Sequence, residues 1–292
     1  AESPWTIYRE RAITRLERRM RKTVLAKKVE AVVGPVIEII HFADPFCWWS
    51  WGLEPILQRL REVYGDQIEV TYRMGGMANK ISQWRKDYNV VDDKSLKSWI
   101  VESISLTGVP VDLEFISKGS AKSSWPACIA MKAAELQSKE LAERYFRRLL
   151  ERIQVEADNV SEDGVYLPMA KEVGLDVSRM KESISSGRAT KLFEEDRKAM
   201  NVNFLTLVLV NKKNGESLAI GGEFSSEEYE KAVDELSGGL LTKKIPVDIL
   251  EYFERHRDNR ISAREIATVF KISEQDAEVR LGVLTEGGLL KR

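Results

Sequence analysis

Residues Val36 to Gly52 read Val-Ile-Glu-Ile-Ile-His-Phe-Ala-Asp-Pro-Phe-Cys-Trp-Trp-Ser-Trp-Gly, and no other stretch constrains the fold as tightly. The stretch opens as an apolar run rich in β-branched residues, the pattern of a buried strand. Asp44-Pro45 is a turn signal that ends it. Helical spacing follows at Leu53, Ile56, Leu57, Leu60, Val63 and Tyr64. Cys47 is therefore expected where a strand gives way to a helix N-terminus. Free backbone N–H groups and the helix dipole favour an anion there. A thiol so placed loses its proton more readily, and the thiolate is the nucleophile. Ser50 lies three residues on, on the same helix face, where its hydroxyl can donate to a thiolate. The plainer reading is that Cys47 is a small buried apolar residue. Trp48, Trp49 and Trp51 either line an apolar groove around the sulfur or belong to the core. Adjacent helix positions point in different directions, so at least one is expected to be core.

The chain has 292 residues, enough for a full core and more than one domain. Its net charge of −1 gives no global field that would recommend nucleic acid or an anionic membrane as partner. No apolar run reaches transmembrane length. The N-terminal residues show no signal-peptide core, which makes the cytoplasm the expected compartment. Cys47 and Cys128 are the only cysteines, so a disulfide-stapled scaffold is excluded and a reducing compartment fits. Two histidines and two distant cysteines give no metal-site spacing, and no metal is expected.

Residues 3–30 read as one amphipathic helix, with Pro4 at its first turn and Trp5, Tyr8, Ala12, Leu16, Met20 and Val24 on one face. Residues 1–30 hold nine Arg/Lys and four Asp/Glu, a basic segment. It is either a solvated face packed on its own body or an arm for a second copy or an acidic partner. Gly34-Pro35 separates it from the central strand. Ile68 to Met74 reads as a second strand, closed by Gly75-Gly76-Met77, and Pro55 is expected to kink the helix between. From 78 to 200 the periodicity is helical, near 94–106, 126–137, 139–156, 162–173, 176–186 and 188–200. Cys128 follows Trp125-Pro126, a helix-start signal, which gives it either a lowered pKa or a place in the core. Strand character returns at 204–210, with a hairpin turn at 211–215 and a partner strand at 216–220. Ser225 or Ser226 is expected to cap the next helix with Glu228 as capping partner.

Residues 246–292 give three short helices near 247–257, 262–270 and 274–286, the spacing of a helix-turn-helix or winged-helix-like domain. Residues 245–292 contain eight Arg/Lys against nine Asp/Glu, and the helix in the recognition position carries Glu274, Asp276 and Glu278 against Arg280. Phosphate binding needs the opposite balance. The module therefore reads as one for docking or packing and not for DNA.

Three separated motifs in order carry a family resemblance. Asp44-Pro45-Phe46-Cys47-Trp48-Trp49-Ser50-Trp51-Gly52-Leu53-Glu54-Pro55 resembles the active-site stretch of DsbA-like proteins of the thioredoxin superfamily. Tyr72-Arg73-Met74-Gly75-Gly76-Met77 and Trp125-Pro126-Ala127-Cys128-Ile129-Ala130-Met131-Lys132-Ala133-Ala134 are similar to the following strand and the inserted helix of the FrnE-type branch. The resemblance spans roughly residues 36–236. It implies an α/β thioredoxin fold over 34–77 and 201–237, with a helical domain inserted at 78–200. An N-terminal helix over 1–33 and a winged-helix-like domain over 245–292 flank it. Two departures stand out. Ser50 replaces the second cysteine of Cys-x-x-Cys, and Leu205 stands where thioredoxin folds usually carry a cis-proline; a leucine peptide strongly prefers trans.

What this implies about function divides three ways. The first reading is a monothiol oxidoreductase, with Cys47 and Ser50 catalytic and the Cys47 thiolate forming a mixed disulfide with a protein or a small thiol. No bound cofactor is needed, and glutathione is a candidate co-substrate. Trp48, Trp49, Trp51, Met74, Gly75, Gly76 and Leu205 would shape the groove. Cys128 would be an auxiliary or resolving thiol, and His41 either tunes Cys47 or simply packs in the sheet. The second reading is a redox-inactive adaptor that binds a protein partner through the N-terminal helix or the C-terminal module. The third is a glutathione-dependent transferase or isomerase of kappa-like type, a class that usually carries Ser where this chain has Cys47.

Overall fold

The computed structural model describes residues 34–114, 122–158, 163–222 and 225–291. The basic segment read as a helix over 3–30 lies outside the described residues. The expected strand, helix and second strand are present as β1 (Ile37–Ala43), α1 (Trp48–Tyr64) and β2 (Ile68–Met74). Val36 N–H donates to Gln67 O at 2.8 Å, and Gly75 N–H donates to Ala43 O at 2.9 Å. The two strands thus begin together and end together, a parallel pair joined by a helical crossover. Lys212 N–H donates to Val36 O at 2.8 Å, placing the end of β3 (Thr206–Asn211) at the start of β1, so β3 runs the opposite way. β4 (Ser217–Gly221) returns from it through a turn closed by Asn211 N–H on Glu216 O at 2.8 Å. The strand order is β2-β1-β3-β4. This is the expected thioredoxin fold. β1 reads as a near-continuous apolar run because both of its faces are covered: Ile37, Ile39, His41, Phe42 and Ala43 are all buried.

Between β2 and β3 lies the expected helical insertion: α2 (Ile81–Asp87), α3 (Asp93–Thr107), α4 (Trp125–Glu135), α5 (Lys139–Gln154), α6 (Asp163–Glu172), α7 (Val177–Ser185) and α8 (Arg188–Ala199). Local chemistry sets several of the boundaries. Asp92 and Ser95 form a reciprocal capping box at α3, and Gly108 ends that helix at φ 70°. Ser138 accepts from Leu141 N–H at the start of α5. Short α2 carried no separate periodic signal in the sequence. Helix α1 continues through Pro55 as one element. After β4 comes α9 (Ser226–Ser237), capped by Ser225 but not by the expected bond. The Ser225 hydroxyl donates to the Glu227 carboxylate at 2.8 Å, so Glu228 is not the capping partner.

The described chain packs as two compact units. One comprises residues 40–51 and 71–207; the other comprises 34–39, 52–70 and 208–291. In the second unit α10 (Ile249–Arg255), α11 (Ala263–Phe270) and α12 (Glu274–Glu286) build a small core from Ile249, Tyr252, Ile266, Val269 and Ala277. Among the described residues no strand follows α12. Arg59 of α1 fastens it, donating from Nε to Glu230 of α9 at 2.9 Å and from Nη1 to Val269 O at 2.5 Å. Lys271, which ends α11 at φ 51°, reaches Glu230 at 3.0 Å. Glu62 of α1 meets Arg255 at 2.5 Å and His256 at 3.3 Å. Among the described residues no helix is long and apolar enough to cross a membrane.

Candidate functional site: a buried thiol at a strand-to-helix turn

The first unit holds Cys47 and most of the residues singled out with it. The turn is built by Asp44. Cys47 N–H donates to Asp44 O at 2.9 Å, and Phe46 N–H donates to Asp44 Oδ1 at 2.8 Å. That second bond is the Asx-turn an aspartate before proline favours. Asp44 N–H donates in turn to Ser50 Oγ at 3.2 Å, closing the turn on the first helical residues. The other carboxylate oxygen, Oδ2, accepts from Met77 N–H at 2.5 Å, Ser124 Oγ at 2.7 Å and Cys128 Sγ at 3.5 Å. One buried carboxylate thus ties together the three segments that carry the family resemblance. Sequence reading missed Asp44, taking it only as a turn residue. Its signal was an acidic side chain in an otherwise apolar strand end, which buried polar groups occupy only with partners.

Cys47 is 3% exposed, and burial pushes its thiol up to about 12. The Asp44 charge adds to the rise. The N–H groups of Ser50 and Trp49 and the Ser50 hydroxyl oppose it, as expected at a helix start, but do not outweigh the loss of water. Cys128 is fully buried, and burial followed by Asp44 raises its thiol well above the ordinary range. The lowered pKa expected of Cys47 is therefore replaced by a raised one, and Cys128 takes the place in the core that was the alternative reading for it. Helix-terminus stabilisation presumes a site that water reaches. Asp44 accepts the Cys128 thiol on its carboxylate, and its charge also bears on Cys47.

The three tryptophans are buried and form no open groove beside the sulfur. Trp48 meets Trp84 and Trp99 edge-on, with ring centroids at 6.3 and 5.3 Å. Trp84 and Trp99 stack on each other at 5.7 Å. Trp51 donates to Pro110 O at 2.9 Å and carries the Arg147 guanidinium 4.7 Å above its ring. His41 packs on Tyr72, with ring centroids 5.8 Å apart, as a strand histidine in the sheet interior. Met74 is buried and donates its N–H to Asp196 at 2.9 Å, and Asp196 is also paired with Lys132. Leu205 is buried, and among the described residues every peptide bond is trans.

Gly75 and Gly76 shape the turn that meets Asp44 through Met77. A Cβ on Gly75 would lie 2.4 Å from the Phe204 ring. Gly76 adopts φ 66°, and a Cβ there would lie 2.7 Å from Phe193 and 3.0 Å from Trp125 Nε1. Gly76→Ala combines an unfavourable backbone region with overpacking, so we expect a loss of roughly 2–4 kcal/mol in a urea melt. An unchanged midpoint would refute the tight approach.

The thioredoxin family model matches residues 40–231. The chain belongs to the thioredoxin family. It is 26% identical to the "ClpXP adapter protein SpxH" of Halalkalibacterium halodurans over 84% of this chain and 81% of that protein. It is also 26% identical to the protein of the same name in Bacillus subtilis, over 83% and 81%. The solved structure of the cytosolic disulfide reductase DsbM from Pseudomonas aeruginosa superposes with a TM-score of 0.51 at 24% identity, over 70% of this chain and 96% of that one. That likeness is one of fold.

Proposed function

We propose that this chain is a protein adaptor on a thioredoxin scaffold, and that its thiol does not turn over in the resting fold. The observation that carries this is Cys47 itself, a buried thiol raised to about 12 with a serine in place of its redox partner. Burial favours the neutral thiol and so lowers the thiolate fraction at neutral pH. Without thiolate there is no attack on a disulfide. The names of the curated relatives support a protein partner, and on this reading the partner is the ClpXP protease. The thioredoxin scaffold then serves as a rigid mount, since fold alone does not grant its family's chemistry.

The monothiol oxidoreductase reading keeps one specific support, the two N–H groups and the hydroxyl directed at the Cys47 sulfur. On that reading an opening of the unit would free the thiol. Its thiolate would attack a disulfide, release one thiolate and leave a mixed disulfide, which a second thiol such as glutathione would resolve.

The pH dependence of Cys47 alkylation, read by mass spectrometry with Cys47→Ala as blank, separates the two. We expect negligible labelling of the folded chain below pH 9. A midpoint near or below 8.5 would sink the adaptor reading's premise. In parallel, immobilised chain should retain purified ClpX equally well as wild type and as Cys47→Ala. Failure of the wild type to bind would remove ClpXP as the partner.

A further inference from the structure

The outward face of α12 is an apolar stripe with an acid at each end. At about 100° per residue, Ala277, Leu281 and Leu284 share the side that enters the module's core. Val279 and Val283, one turn apart on the opposite side, are 62% and 64% exposed. Asp276 precedes Val279 by one turn on that side and Glu286 follows Val283 by one turn, both exposed. The distance from first acid to last is roughly 15 Å at 1.5 Å per residue. Gly282 lies on the same face with open space where a Cβ would be, so backbone can approach closely. Arg280 follows Asp276 by one turn and stands about 60° from Val283, at the edge of this face beside that acid, while no cation flanks Glu286 within the helix. Valine is a poor choice for an exposed helix position on propensity alone. Arg59 and Lys271 fasten the end of the preceding helix α11 to Glu230's side of the unit.

From this we infer that α12 is a protein-docking surface, and that its occupant is a segment of a partner protein with two adjacent apolar side chains flanked on both sides by Lys or Arg. The apolar pair would cover Val279 and Val283 while the flanking cations meet Asp276 and Glu286. Two carboxylates bracketing an apolar patch select that pattern and repel acidic segments and nucleic acid. The inference rests on the adaptor reading and supplies the recognition chemistry that reading lacks.

The test uses the full chain and a phage-displayed library of random 15-residue peptides. Panning on the wild type should return peptides with an apolar pair between basic residues. Their affinity should fall at least tenfold on a Val279→Asp, Val283→Asp variant. It should fall about three- to tenfold on Asp276→Asn with Glu286→Gln, with weaker salt dependence in the second case. All four positions are exposed, and an unchanged melting curve confirms that the variants fold. Recovery of no peptides, of peptides lacking basic residues, or of peptides that bind the valine variant equally well would overturn the proposal. So would a dimer abolished by the valine variant, which would make a second copy the occupant. So too would a tenfold gain in peptide affinity on removing residues 1–33, which would assign the stripe to the chain's own basic segment. ClpX retention by the wild type is measured separately, so a failed adaptor reading and a failed surface give different results.

Discussion

Asp44→Ala is expected to destabilise the fold by about 3 kcal/mol or more, read from a urea or thermal melt. The substitution removes the acceptor of Phe46 N–H, Met77 N–H, the Ser124 hydroxyl and the Cys128 thiol in one step. Each buried donor left without an acceptor costs about 1–3 kcal/mol. The loss is partly offset, because Ser124 also interacts with Ala78 and the buried carboxyl no longer has to be desolvated. Asp44→Asn keeps one acceptor oxygen and should cost less. The pH dependence has a definite sign. Burial raises the Asp44 carboxyl above its ordinary 3.8, against hydrogen bonds from Ser124, Met77 and Phe46 that favour the ionised form. A carboxyl raised in the fold contributes stability that is present below its unfolded value and is lost as pH rises through its folded one. The wild type should therefore lose stability relative to Asp44→Asn as pH climbs above about 4. A melt that is insensitive to both substitutions would show that the three segments are held together by packing alone.

The second large effect is expected at Glu230. Glu230→Ala should cost about 3–5 kcal/mol and release the C-terminal helices from their unit. Among the described residues it leaves the buried Arg59 guanidinium bonded to the Val269 carbonyl alone, and breaking one side of a buried pair strands a charge. The matched replacement Arg59→Met with Glu230→Leu should recover much of the loss, because a buried pair exchanged for apolar groups is often close to neutral. Burial alone would raise the Glu230 carboxyl, but Arg59 and Lys271 outweigh it and hold it below the ordinary 4.5. Its contribution is therefore present above the unfolded value and lost as pH falls through the folded one. Limited proteolysis between residues 238 and 248 reports the release directly. Cleavage there should accelerate in Glu230→Ala and on acidification below about pH 4.5, and not in the double variant. Equal cleavage rates in all three would mean that the apolar contacts of α10 and α11 hold the module without the ion cluster.

The local elements were legible because their signals are local. β1 and β2 follow from short β-branched runs, and the helices of the insertion from apolar spacing, while the caps at Asp92, Ser138 and Asp176 that fix their starts emerge from the structure. The position of Cys47 at the strand-to-helix turn was legible for the same reason. Its protonation was not. The sequence supplies the N–H groups and the Ser50 hydroxyl, but water access depends on the helices inserted between β2 and β3. Trp48 illustrates the point: its neighbours Trp84 and Trp99 are 36 and 51 residues distant. The pattern around Ser225 likewise favoured a capping box, and a carboxylate one residue closer took the hydroxyl instead.

By itself the sequence determined the family, the order of strands and helices, the position of the thiol and the acidic balance of the last helix. Those properties reside in neighbours along the chain, where spacing and side-chain chemistry act without reference to the rest of the molecule. Only the tertiary structure decided that Asp44 gathers Phe46, Met77, Ser124 and Cys128 on one carboxylate. It also decided that Cys47 is buried, and that Arg59, Glu230 and Lys271 lock the C-terminal helices. Burial and long-range pairing are properties of closure, and at Cys47 burial outweighs the local N–H groups and hydroxyl that favour its charge.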